Sequence, residues 1–262
     1  MWEMHRPAFD LCRRTMELLE TWITTPRVPR TTLSQVVDLL FLQCYKSFSG
    51  VYILAVSGQG EDAGTVARRL LELTWQLMAL NSSSQERHQE DWAKRCLAYF
   101  FGFWPQMKGT VAVSWTDEER NYWEQAYLQN SHLIEFDQYD WPLNWWPRVD
   151  SDGNITTGRG GFIHLATLAG ARDSYENDYR VLSQMAHGLA SGFLFEMSRG
   201  KIEIRSGRMA GALVLWATSY VLIAASVWNA HFPLFPEEKL TQLRDEVLLM
   251  KKQLAERSRR EV

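Results

Sequence analysis

The stretch that decides the fold is MAGALVLWATSYVLIAASVWNA, residues 209–230, because no charged side chain interrupts it. A helix of this length can cross a bilayer. Its small residues and the polar Thr218, Ser219 and Asn229 lower its hydrophobicity. A helix that is apolar on all sides is also typical of the centre of a helical bundle. We therefore expect 209–230 to be a buried core helix, in preference to a membrane span.

The segments on either side of this stretch show the three- and four-residue apolar spacing of amphipathic helices. The predicted helices cover 8–24, about 33–56, 62–80, about 85–103, about 117–130 and 173–198, with a short segment at 162–171 and a last helix from Glu237. Thr31 or Thr32 can cap the second of them. The pattern contains neither βαβ alternation nor a run of strands. It predicts an all-α fold, an up-and-down helical bundle in a single domain over 1–262.

One region, 104–160, breaks the helical pattern with three prolines and several glycines. Seven of the 12 tryptophans lie between Trp92 and Trp146. Tryptophan buries a large area and can hold irregular chain in place. We expect an aromatic-rich connection packed over the bundle, with a ligand-stacking surface as the alternative.

The last segment, 237–260, has an amphipathic pattern. Its apolar residues follow 3-4 spacing, with charged residues between them: Leu240, Leu243, Val247, Met250 and Leu254. Such a stripe either packs on its own domain or pairs with a second copy. The sequence leaves both open, and a homodimer through this helix or through the face of His187 is one prediction.

Composition excludes several classes of protein. Apolar residues make up 46% and charged residues 23%, with a formal charge of −3, so the chain is neither disordered nor strongly basic. The three cysteines are scattered, which favours a reducing, cytoplasmic location. No secretory signal is apparent at the N-terminus. Residues 150–154 resemble the start of a calcium loop, but Gly161 stands where the loop needs glutamate, so we expect a turn. We predict no metal and no cofactor.

The predicted helix from Asp173 carries most of the candidate chemistry. Its side chains recur at four-residue steps, so neighbours can hydrogen-bond along one face: Tyr175, Tyr179, Ser183 and His187. Arg180 lies seven residues before His187 and belongs either to a solvated face or to the same site. The tyrosine, serine and histidine positions stand at the border between core and solvent, where a polar cleft can form.

Arg68 and Glu72 share one face of the predicted helix over 62–80. They form either an exposed ion pair or an inward arrangement in which Glu72 holds Arg68 within reach of His187. A guanidinium suits an anionic ligand or a phosphodiester, and a nearby neutral imidazole can transfer a proton near pH 7. The sequence thus predicts a polar pocket formed by these three side chains with Tyr179 and Ser183.

Two stretches, Gly60–Glu72 and Tyr175–His187, resemble a family of uncharacterised bacterial helical proteins that is known only as a domain of unknown function. The resemblance extends over 35–80 and 155–230 and implies the fold more than any reaction. Arg180 and His187 also resemble, more loosely, the Arg-x(4–6)-His motif of HEPN-type helical ribonucleases, although Val181 departs from it. That likeness implies metal-independent RNA cleavage between two protomers, with the arginine on the phosphate and the histidine in proton transfer.

Two functions follow as hypotheses. The first is a binding or interaction module of a bacterial stress or defence system, in which Tyr175, Tyr179, Glu72 and their neighbours tie helices together. The second is a HEPN-like ribonuclease that uses His187 with Arg180 or Arg68, with RNA as its partner. The ligand of a binding module and the substrate of an enzyme are both left open by the sequence.

Overall fold

Helices form most of the regular structure in the computed structural model, which describes residues 2–150, 152, 154–186 and 209–260. The first part of the chain contains α1 (Trp2–Ile23), α2 (Thr32–Val56), α3 (Gly60–Leu80), α4 (Gln89–Phe101), α5 (Trp104–Met107) and α6 (Asp117–Asn130). Two strands follow, β1 (Pro147–Val149) and β2 (Ile155–Arg159), and then α7 (Phe162–Leu168). The last helices are α10 (Ala210–His231) and α11 (Glu237–Arg260). The predicted all-α fold is confirmed.

A π-helical turn interrupts the helix that was predicted from Asp173. The chain passes through α8 (Arg172–Ser174), the π-helical turn (Tyr175–Tyr179) and α9 (Arg180–Ala186). We call these three pieces together the 172–186 helix. The remainder of the predicted helix, including His187, lies outside the described residues.

Local sequence signals explain where several helices begin. Thr116 caps α6: its hydroxyl accepts from the Glu119 amide, and the Glu119 carboxylate accepts from the Thr116 amide in return. The hydroxyl of Thr31 accepts a hydrogen bond from the amide of Ser34 at 3.1 Å, so the predicted cap of α2 is Thr31. Each such pair satisfies amides that the first helical turn leaves without a backbone partner.

The chain forms two compact units. The first contains Met1–Val28, Val37–Met78 and Ala171–Val262. The second contains Pro29–Val36 and Ala79–Gly170. The single domain predicted for 1–262 stays a prediction.

In the first unit, α10 lies at the centre of the bundle. It packs against α1 and α11, and Trp228 stacks on Phe41 of α2 with 4.9 Å between ring centroids. The hydroxyl of Thr74 in α3 donates to the backbone oxygen of Tyr220 at 3.4 Å. Fourteen residues of α10 are buried. Most of the uncharged stretch is therefore buried within the first unit.

Two helices, α2 and α10, are long and apolar enough to cross a membrane by length and composition. Of the most apolar window in each, 67% is buried inside the chain for α10 and 33% for α2. A mostly buried core helix of a soluble protein passes the same test of length and composition, so the preference for a buried core helix over a membrane span stays a prediction. The cytoplasmic location stays a prediction.

In the second unit, the tryptophan-rich region is folded around helices α4, α5 and α6 and contains a small antiparallel hairpin. Strand β1 pairs with β2 through Arg148 opposite Thr156 and Val149 opposite Ile155. This hairpin was not predicted, because every residue of β2 except the half-buried Arg159 is exposed and the strand shows no apolar alternation. The predicted turn is confirmed: the Asp150 carboxylate accepts from the amides of Asp152 and Asn154, both at 2.9 Å.

The apolar stripe of α11 packs within its own unit. Leu240, Leu243 and Val247 are buried, and the helix contacts α1 and α10. Leu248 and Leu249 remain exposed on the other side. The stripe therefore has a partner inside the chain, and the homodimer stays a prediction.

The three cysteine thiols are all buried and free. Burial raises the pKa of Cys12 and of Cys44 to about 12, and it raises the pKa of Cys96 as well. Since the thiolate is the reactive form, we expect none of the three to react with Ellman's reagent at pH 8 within minutes in the native protein. All three should react once the protein is unfolded in guanidinium. Rapid modification of even one native thiol would contradict the buried environment described here.

Candidate functional site

The predicted inward arrangement of Arg68 is present in the first unit. Its Nε donates to Oε1 of Glu72 at 3.0 Å, and its Nη2 donates to the hydroxyl of Tyr179 at 2.8 Å. The guanidinium carbon lies 4.9 Å from the centroid of the Tyr179 ring. The side chain of Arg68 is 20% exposed and that of Glu72 is 9% exposed. The ion pair is therefore not the solvated surface pair that spacing alone allows. We call these three side chains the arginine cluster.

An aromatic layer supports this cluster from one side. The rings of Tyr175 and Tyr179 are stacked, with centroids 5.1 Å apart and an interplanar angle of 15°. The fully buried Trp75 of α3 contacts both rings, at 6.2 Å and 5.5 Å. Aromatic contacts of this kind stabilise beyond the area they bury. They fix the position of the Tyr179 hydroxyl against Arg68.

The side chain of Met185 in the 172–186 helix lies directly against Gly64 of α3. A Cβ atom at this position would lie 2.7 Å from Cε of Met185. Only a glycine leaves room for the Met185 side chain as it lies here. The helices that carry the arginine cluster therefore also contact each other at Gly64 and Met185.

A second polar group on the 172–186 helix was not predicted. Oδ2 of Asp178 accepts from the hydroxyl of Tyr220 at 2.6 Å and from the hydroxyl of Ser174 at 3.1 Å. Burial, followed by the charge of Asp178, raises the pKa of Tyr220. Burial also lowers the pKa of Lys251 in α11, and the charge of Asp178 opposes this change. Tyr220 lies inside the uncharged stretch, where a buried hydroxyl needs a partner, so that requirement was a signal available from the sequence.

The remaining predicted site residues lie elsewhere. The side chain of Arg180 is 65% exposed and pairs with Glu176 at 2.8 Å. Arg180 therefore lies on a solvated face, the first of its two predicted alternatives. Ser183 is half-buried. His187 falls outside the described residues, so its predicted meeting with Arg68 stays a prediction. Within the part of the chain that the structure describes, no group of His, Cys, Asp and Glu side chains could hold a metal ion.

The ionisation of Glu72 reflects its burial. Desolvation raises the pKa of Glu72 above its usual 4.5, and the charges of Arg68 and Arg69 oppose this change. Burial, with the charge of Glu72 acting in the same direction, raises the pKa of Tyr179 to about 12, so its hydroxyl stays protonated at neutral pH. The cluster at neutral pH is therefore a guanidinium, a carboxyl group with an elevated pKa and a neutral phenol.

The raised pKa of Glu72 predicts a pH dependence of stability. Above pH 4.5, and up to the higher pKa of the folded state, the folded protein holds a proton that the unfolded chain releases. The contribution of Glu72 to the free energy of unfolding therefore falls as the pH rises through this window. We expect Glu72→Gln to lack this contribution, as measured by urea unfolding at several pH values between about 4 and 7. Parallel pH profiles for the two proteins would contradict the raised pKa.

The Tyr179 hydroxyl offers a more conservative test of the cluster. Tyr179→Phe keeps the ring in contact with Trp75 and Arg68 but removes the acceptor of the 2.8 Å hydrogen bond. We expect the free energy of unfolding to fall by about 1–2 kcal/mol, because Arg68 loses a partner in a partly buried place. Tyr122→Phe, at an exposed position of α6, is the matched control and should change little. Equal stability of both variants would show that the Tyr179 hydrogen bond contributes nothing.

Comparison with known proteins gives one match. Residues 35–202 match the model of DUF5677, a family of unknown function. No curated protein and no solved structure matches the chain. The family match covers α3 and the 172–186 helix, which together carry the arginine cluster, and the likeness to HEPN-type ribonucleases is not shown by it.

Proposed function

The chain belongs to DUF5677, a family to which no activity is attached, and we propose that it is a binding or interaction module in which the arginine cluster fixes the helices and performs no chemistry. The observation that carries this proposal is the engagement of Arg68 inside the chain. Glu72 and the Tyr179 hydroxyl take two of its nitrogens, and the Tyr179 ring covers the guanidinium.

The geometry supports a structural role for three reasons. An arginine that binds a phosphodiester presents the open edge of its guanidinium to the ligand. Here the Nε edge is occupied by Glu72, and Nη2 is directed at Tyr179 on the next helix. A carboxylate in the same place would also repel an anionic ligand. The cluster is thus suited to joining α3 to the 172–186 helix.

The cellular location and the biological system of such a module are also part of the proposal. A cytoplasmic protein of a bacterial stress or defence system fits the ordinary composition and the buried thiols. Self-association through α11 would have to use its exposed side, where Leu248 and Leu249 lie, because the apolar stripe is occupied.

A metal-independent ribonuclease is the second candidate, and one observation favours it. The carboxyl group of Glu72 has a raised pKa next to a guanidinium that keeps 20% of its side-chain surface exposed. A carboxyl group of this kind can take part in general acid–base chemistry. In this alternative, His187 acts with Arg68 or Arg180, and RNA is the substrate.

The two functions are separated by a cleavage assay with purified protein. Single-stranded and hairpin RNAs are incubated with the wild type in the presence of EDTA, and expression in a bacterial host is tested for growth arrest. The binding module predicts intact RNA and normal growth. Cleavage that His187→Ala abolishes, with His132→Ala as a surface histidine control that retains it, would overturn the module and establish the nuclease.

A further inference from the structure

We infer that the turn formed by residues 136–143 in the second unit is a docking surface for an arginine- or lysine-containing segment of a partner polypeptide. We call it the aromatic turn. This inference rests on the proposed binding function and names the place and the chemistry of the partner. It follows from the exposure, the rigidity and the charge of the turn.

Large apolar side chains of the aromatic turn face solvent. Tyr139 is 71% exposed and Trp141 is 51% exposed, and Phe136 and Leu143 are exposed as well. The two tryptophans that follow, Trp145 and Trp146, are buried. Exposed tryptophan and tyrosine in one short segment are unusual on a surface without a partner, and these residues dominate the binding energy of many interfaces.

The backbone of the aromatic turn is held by hydrogen bonds. The Asp137 carboxylate accepts from the amides of Tyr139 and Trp141 at 2.8 Å and 2.9 Å. The Asp137 amide donates to the backbone oxygen of Trp141 at 2.9 Å, and Gln106 donates to the backbone oxygen of Asp140 at 2.7 Å. A turn that is already ordered loses little conformational entropy when a partner binds.

The turn is also anchored on the end of α4. Pro142 lies so close to Gly102 that a Cβ atom there would be 2.9 Å from Cγ of the proline. Trp141 contacts Phe103 at 6.0 Å, and Phe103 contacts Tyr99 at 5.2 Å. Tyr99 and Phe103 are half-buried, so the exposed rings continue into a wider aromatic surface.

Charge identifies the partner. From 121 to 147 the sequence contains four acidic residues and neither lysine nor arginine. Arg159 pairs with Glu135, which leaves Asp137 and Asp140 within the turn itself. Exposed aromatic faces next to carboxylates attract guanidinium and ammonium groups through cation–π contacts and ion pairing. A nucleic acid or a second copy of this acidic surface would be repelled.

The test uses a fluorescein-labelled peptide of alternating arginine and glycine, with a glutamate–glycine peptide of the same length as the charge control. Binding to the full chain is measured by fluorescence anisotropy. We expect the arginine peptide to bind and the glutamate peptide not to bind. The double variant Tyr139→Ala/Trp141→Ala should lower the affinity for the arginine peptide by about tenfold, as the loss of one to two cation–π contacts predicts. Asp140→Asn should weaken it less. Ile53→Ala, at an exposed apolar position of the first unit, should leave the affinity unchanged.

Several results would overturn the inference. They are equal affinity of the double variant and the wild type, equal affinity for the two peptides, self-association lost in the double variant, and preferential binding of RNA. An unchanged circular dichroism spectrum and melting temperature of the double variant exclude misfolding as the cause of weaker binding. RNA cleavage in the assay above would remove the proposed function, whereas unchanged peptide affinity in the double variant would remove only this docking surface.

Discussion

Replacing Trp228 with alanine is expected to lower the free energy of unfolding by about 4–5 kcal/mol, the upper part of the range for a buried tryptophan. The side chain is fully buried, and its Nε1 donates to Oδ1 of Asp38 at 2.8 Å. The guanidinium of Arg27 lies 5.0 Å from the ring and also pairs with Asp38 at 2.6 Å. The substitution removes a large core volume and one of the partners of Asp38. A domain of ordinary stability loses a third or more of its margin to such a change.

Urea unfolding followed by circular dichroism measures this effect. Trp141→Ala is the matched control, because it makes the same chemical change at a position that is half exposed. We expect the control to change the free energy of unfolding by at most about 1 kcal/mol. Similar losses at the two positions would contradict the packing of Trp228 at the centre of the first unit.

The second large effect is expected at the arginine cluster. Glu72→Ala leaves the partly buried guanidinium of Arg68 without its carboxylate, which typically costs several kcal/mol. Since Arg68 keeps some contact with solvent and with Tyr179, we expect a loss of about 2–3 kcal/mol. Glu72→Gln, which retains an acceptor for Nε of Arg68, should lose much less.

A double-mutant cycle separates the pair from its surroundings. Arg68→Met/Glu72→Leu removes both charges and keeps most of the volume, and replacements of this kind are often neutral. We expect the double variant to be more stable than Glu72→Ala, with Arg68→Met and Glu72→Leu measured singly to complete the cycle. A double variant as unstable as the sum of the singles would show that the ion pair has no coupling energy.

The sequence predicted the helices well where apolar periodicity and caps agreed. The bounds of α2 and α6 matched their predictions closely, because Thr31 and Thr116 begin them with hydroxyl caps. α1 begins at Trp2 and contains Pro7. Residues before Pro7 were not predicted to be helical, because proline is expected at the start of a helix and not inside it. The β-hairpin of the second unit was missed because its exposed strand offers no alternation to recognise.

The candidate site was predicted in part for a physical reason. Spacing of four residues put Arg68 beside Glu72, and the four-residue steps of the later helix put Tyr175 beside Tyr179. Spacing says nothing about which faces meet between helices, so the support from Trp75 and the Asp178–Tyr220 hydrogen bond appeared only in three dimensions. Those contacts depend on the π-helical turn, which no periodicity of 3.6 residues anticipates.

The π-helical turn from Tyr175 to Tyr179 amounts to one extra residue wound into an otherwise regular helix. If the same residues were wound as a regular α-helix, everything after the turn would be rotated by about 100° relative to everything before. Leu182, now in the core, and Arg180, now in water, would then exchange surroundings with their neighbours. The wider turn therefore keeps α9 facing the way it does despite the extra residue. A single-residue deletion within Tyr175–Tyr179 that restores a regular α-helical turn would leave the outer side of α9 facing outward, whereas the same deletion within α9 has no wider turn to absorb it.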